Sequence, residues 1–182
     1  MDPKSEIFVL NGRSIAHISP LLSMMASHGL SFYRSDSIGE LQSPTGLFAT
    51  DEVIILKINC QWSHRGATNT DLLKEVIEAI LNHPDGFNGE IVVADNGQGR
   101  GQMDWPISNA EDQAQSTQDV VDFFSSTAKI STYEWENIRS NVVNEYNAGD
   151  TTNGYIVYDS PDPETNIYVS YPKFETKYGT KI

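Results

Sequence analysis

The chain has 182 residues, 38% of them apolar, enough for one sizeable core and too few to call for two. Its 25 Asp and Glu against 12 Lys and Arg leave a formal charge of -13, which repels phosphate backbones and anionic membranes and argues against nucleic acid as a partner. One cysteine, Cys60, excludes an internal disulfide and cannot supply the several thiolates of an iron–sulfur cluster.

The first apolar stretch, Ile7 to Leu10, reads as a short strand closed by Asn11-Gly12. A helix is expected with Ser19 as its N-cap and Pro20 at its first position, carrying Leu21, Leu22, Met24 and Met25 and stopping at Gly29. From Val53 to Asn59 the chain is almost continuously apolar, the pattern of a central parallel strand covered on both faces. Over 70–82, Leu72, Leu73, Val76, Ile77, Ile80 and Leu81 recur at helical spacing, and Lys74 and Glu78 are placed to pair on the opposite face. Pro84-Asp85-Gly86 ends that helix, and a second buried strand follows over 89–95, completing a βαβ unit.

Ser116 and Asp119 have capping-box spacing at the head of another helix, with Val120, Val121, Phe123 and Phe124 as its buried stripe. Ile130 to Tyr133 reads as a further strand, and Gly154 to Tyr158 with Ile167 to Tyr171 as an antiparallel hairpin around the turn-rich Asp159 to Asn166. The expected fold class is therefore α/β: a central, mostly parallel sheet with an antiparallel hairpin near 154–171, in a single domain over 1–182. The last strand lacks apolar partners in the sequence that follows, so the chain is expected to stop inside a larger domain, and unpaired strands there would favour association. No apolar run approaches the roughly 20 residues that span a bilayer, and Met1-Asp-Pro-Lys opens no signal peptide, so a cytoplasmic protein is expected.

In sheets of this kind, ligands bind beyond the carboxyl ends of the strands, where loops diverge and helix N-termini present free N–H groups. Two loops meet that description: 60–69, leading into the first βαβ helix, and 96–115, whose Asp95-Asn-Gly-Gln-Gly-Arg-Gly101 is neither a dinucleotide fingerprint nor a Walker loop. In a chain with few cations, Lys57, Arg65 and Arg100 all fall at or just beyond these strand ends. One reading is an anion pocket, with Lys57 and Arg65 as charge partners, Asn59 as hydrogen-bonder, Thr68 and Thr70 with the helix N-terminus as donors, and Asn96 and Arg100 as further ligand-binding candidates. The other is a structural salt bridge between Lys57 and Asp95. A divalent metal held by Asp95 and a bound anion, or a site drawing on Cys60, His64 and Asp104, uses the same loops, although Cys-x3-His lacks a second close pair. Tyr171-Pro-Lys-Phe174 offers edge-strand packing or the lining of a pocket.

The run Asp51-Glu-Val-Ile-Ile-Leu-Lys57-Ile-Asn59-Cys60-Gln-Trp62, with Gly66-Ala-Thr68-Asn69-Thr70-Asp71, His83-Pro-Asp-Gly-Phe87 and Gly89-Glu-Ile-Val-Val-Ala-Asp95-Asn-Gly-Gln98, resembles the uncharacterised prokaryotic family catalogued as domain of unknown function 362. Tyr171-Pro-Lys-Phe174 and Thr176-Lys-Tyr-Gly-Thr180 resemble its downstream segment. The resemblance implies an α/β fold and marks Lys57, Asn59, Thr68, Thr70 and Asp95 as motif residues without a settled role. Some members add iron–sulfur cysteines that this chain lacks. Two functions stay open: an enzyme-like domain binding a small anionic metabolite, with Asp95 as base or metal ligand, and a non-catalytic binding or scaffold module with Lys57 and Asp95 as an internal pair.

Overall fold

The structure, a computed structural model of the chain, describes residues 6–10, 17–60, 66–96, 105, 112 and 114–182. Its elements in order are α1 (Ser19–Ser27), β1 (Tyr33–Arg34), β2 (Gln42–Ser43), β3 (Val53–Lys57), α2 (Thr70–Leu81), β4 (Glu90–Asp95), α3 (Thr117–Ser125), β5 (Ile130–Glu134), β6 (Gly154–Val157) and β7 (Ser170–Lys173). Mixed helix and strand around the parallel sheet β3-β4-β5, with the antiparallel hairpin β6–β7, make the fold α/β.

β4 lies in the middle of this sheet, and all six of its residues are buried, as the unbroken Ile-Val-Val-Ala run requires. β3 is equally apolar but among the described residues pairs only with β4, so the expectation of a central strand covered on both faces is corrected: β3 is the edge strand of the described sheet, with Ile55 and Lys57 exposed. It also ends at Lys57, short of the expected Asn59. Gly89 lets β4 start close against β3, because a Cβ there would come within 2.1 Å of the Glu52 carbonyl oxygen.

α2 and α3 cover one face of the sheet. Leu73, Ile77 and Ile80 of α2 and Val120, Val121 and Phe124 of α3 pack with Ile91, Val93 and Ile130 in one buried cluster. The breadth of both expected helical stripes needs correction, since Leu72 and Phe123 are exposed. They lie at stripe edges, about 100° around the helix from Leu73 and Phe124. Lys74 does not pair with Glu78 as expected; its ammonium lies 4.6 Å from the centre of the Phe123 ring.

Asn69 caps α2 by accepting the Leu72 N–H. The capping box at α3 forms as its spacing predicts. Asp119 donates its N–H to the Ser116 hydroxyl, and its carboxylate accepts the Ser116 N–H and O–H, which hold the Asp119 carboxyl below its ordinary range.

On the other face, Val92 and Ala94 pack with Phe174 and Ile138, joined by Tyr133, Trp135 and Tyr155. Tyr133 stacks on Phe174 with ring centres 3.9 Å apart, and burial, followed by the neighbouring Tyr146, pushes its hydroxyl up to about 12. β7 runs over Ser170–Lys173, displaced from the expected Ile167 to Tyr171; Ile167 and Tyr168 remain exposed ahead of it. The displacement follows the pairing register, in which Gly154 faces Lys173 and Val157 faces Ser170. In the Tyr171–Phe174 segment, Lys173 and Phe174 are buried, with the Lys173 ammonium bonded to the Asp150 carbonyl oxygen.

Residues 6–10 form no strand, in contrast to the expectation for Ile7 to Leu10. α1 begins one residue earlier than its cap assignment predicts: Ser19 is helical and Ile18 is the N-cap, without a side-chain cap of its own. It stops as expected, with Gly29 at φ 85° in the left-handed region. The two-residue parallel ladder β1–β2 was not foreseen; it sits beside an aromatic group of Phe32, Tyr33, Phe48 and His83.

Candidate functional site

The parallel register brings Lys57 opposite Ala94, so Lys57 and Asp95 emerge together at the carboxyl edge of β3 and β4. Their side chains meet: the Lys57 ammonium donates to Asp95 Oδ1 at 2.6 Å and to the Ile58 carbonyl at 2.6 Å. The two ends of this pair have different surroundings. Asp95 is 1% exposed while the Lys57 side chain is 48% exposed, so the carboxylate is held in the interior and the ammonium at its boundary.

Asp95 also gathers backbone from both loops. Oδ1 accepts the Asn96 N–H at 2.8 Å and Oδ2 accepts the Cys60 N–H at 2.8 Å. A buried carboxylate needs such donors, because desolvation without them costs several kcal/mol. With three N–H groups on two oxygens, Asp95 is an acceptor already in use, a poor starting point for a general base.

The loop after β3 is closed by its own polar residues. Asn59 donates its N–H to the Thr68 hydroxyl at 2.9 Å, accepts the Thr68 N–H at its carbonyl, and donates Nδ2 to the Gly66 carbonyl at 2.8 Å. Asn59 and Thr68 thus act on the loop's shape. Thr70, buried in the first turn of α2, accepts from Gln115 Nε2 at 3.3 Å, and the same amide reaches Asp71 Oδ1 at 2.9 Å. Gln115, immediately before the α3 cap, therefore ties the start of α3 to the start of α2. No periodicity or motif marks it in the sequence.

The structure brings Lys57, Asp95, Asn96 and Cys60 together, and places Asn59, Thr68 and Thr70 along the same loop and helix start. Arg65, Arg100, His64 and Asp104 lie outside the described residues. Cys60 is fully buried beside Asp95. Among the described residues, no three His, Cys, Asp or Glu side chains converge as a metal-binding group, and no helix is long and apolar enough to cross a membrane. No protein-family model, curated protein or solved structure matches this chain.

Proposed function

We propose that this chain is a non-catalytic binding or scaffold module whose working surface is the pair of loops fastened to the carboxyl edge of the sheet. One observation carries the reading: Asp95 is buried, with both oxygens occupied by Lys57 and by backbone N–H groups from the two loops. Using Asp95 as a base or metal ligand would require withdrawing donors from a buried carboxylate, and leaving such a group short of a donor costs about 1–3 kcal/mol. Lys57 is accordingly a structural partner of Asp95. The resemblance to domain of unknown function 362 and a cytoplasmic setting belong to the same proposal.

A second reading, a small anionic ligand with or without a divalent ion, is favoured by the half-exposed Lys57 side chain and by the α2 N-terminus on the same edge. There Lys57, Asn59, Thr68, Thr70 and Asn96, with Arg65 and Arg100, would hold the phosphate or carboxylate group.

Thermal melts of the wild type and of Lys57→Met, each with phosphate, sulfate, small carboxylates and divalent metals, separate the two. On the scaffold reading Lys57→Met melts lower and no anion protects the wild type. A ligand at a hundred times its dissociation constant would stabilise the wild type by about 2.7 kcal/mol. Such a rise, lost in a Lys57→Met variant that melts normally, would establish the anion reading instead.

A further inference from the structure

Away from the carboxyl edge, a cleft of about 740 Å³ lies between the start of α1 and the outer face of α2. That volume falls in the range of small-molecule sites, about 300–1,000 Å³. Its apolar lining comes from Phe8, Leu10, Ile18, Leu21 and Leu72. This explains the exposure of Leu72: the side chain is 48% exposed because it faces the cleft instead of the sheet.

Among the described residues the polar lining holds three carboxylates, together with Lys74 and His17. Asp71, Glu75 and Glu78 follow one another at helical spacing along the α2 wall, and adjacent carboxylates four apart repel by a few tenths of a kcal/mol. Glu75 is occupied, accepting from His17 Nδ1 at 3.1 Å and the Ile18 N–H at 2.6 Å, and Asp71 accepts from Gln115. The Glu78 carboxylate has no partner among the described residues. Lys74, which also lines the cleft, has its ammonium over the Phe123 ring of α3 and is not paired with Glu78.

We propose that this cleft binds a small amphipathic amine, its aliphatic or aryl-alkyl body against Leu72 and Leu10 and its ammonium on Glu78. Apolar walls supply the burial, and the Glu78 carboxylate selects positive charge over negative; an acid of the same shape would meet that carboxylate in a protein already at -13.

The test titrates the full chain with octylamine and, separately, with octanoate, followed by calorimetry and amide chemical shifts. Octylamine is expected to bind saturably, with shifts confined to α1, α2 and residues 6–10, while octanoate does not bind. Glu78→Gln should weaken the amine about tenfold or more, the worth of one charge-assisted hydrogen bond, and Leu72→Gln should weaken it by removing apolar contact. Both side chains are partly or largely exposed, so neither change threatens the fold. Equal binding of octanoate, no amine binding at millimolar concentration, or unchanged affinity in both variants would overturn the proposal. So would binding of a basic amphipathic peptide without binding of octylamine, which would make the cleft a peptide groove.

Discussion

The Glu75 carboxylate on α2 accepts the N–H of Ile18 at the head of α1, 57 positions away in the chain, at 2.6 Å. It supplies from another element the cap that α1 lacks in its own sequence, where Ile18 offers no side-chain oxygen. Glu75→Ala should therefore destabilise the protein by about 0.5–2 kcal/mol, the usual worth of an N-cap. Urea unfolding of the two proteins checks this, and equal midpoints would show that the bond adds nothing. Glu75→Gln keeps an acceptor oxygen and should recover most of the loss.

Asp95 and Lys57 should respond unequally to substitution. Lys57→Met removes one of three donors from a buried carboxylate, costing about 1–3 kcal/mol. Asp95→Asn does more damage, because one of the two accepting oxygens becomes an N–H donor facing Lys57, Asn96 or Cys60. Denaturant melts should rank Asp95→Asn below Lys57→Met, and the reverse order would mean that the backbone bonds to Asp95 matter little.

Burial lifts the Tyr133 hydroxyl from 10.0 to about 12 in the folded chain. The folded state then holds a proton that the unfolded state releases, so the contribution of Tyr133 to stability is constant below pH 10 and is lost as pH rises from there to about 12. Ultraviolet titration of the phenolates should show a late-titrating tyrosine that Tyr133→Phe removes. A Tyr133 that ionises with the exposed tyrosines would contradict its packing on Phe174.

At the acid end, the N–H groups of Asn144 and Thr152 hold the Asp150 carboxyl at about 2, below its ordinary 3.8. Its stabilising contribution is present above the unfolded value and is lost as pH falls through that interval. Asp150→Asn should flatten this part of the stability profile, measured by chemical unfolding at a series of acid pH values. An unaltered slope would assign acid unfolding to other carboxylates.

The features legible in the sequence were those set within a few residues. Ser116 and Asp119 lie three apart, so their reciprocal bonds are readable directly, and the Leu73, Ile77, Ile80 spacing identifies the buried side of α2. Edge and centre could not be separated for β3 and β4, because the two runs are similarly apolar and the number of neighbouring strands is a nonlocal property. The same limit applies at the site. Lys57 and Asp95 were recognisable as potential partners at adjacent strand ends, but the Cys60 and Asn96 amides that complete the carboxylate's shell, and the Gln115 tie between helices, depend on how two loops fold back.

The edge position of β3 also divides its own amides into two populations. Glu90 donates to the Glu52 carbonyl and Ile58 donates to the Ala94 carbonyl, so the alternate residues Ile54 and Leu56 direct their N–H groups to β4 while Val53, Ile55 and Lys57 direct theirs away. Hydrogen exchange along this strand should consequently run in a two-residue rhythm, slow at Ile54 and Leu56 and fast at Ile55, beside a β4 whose amides open only with the sheet.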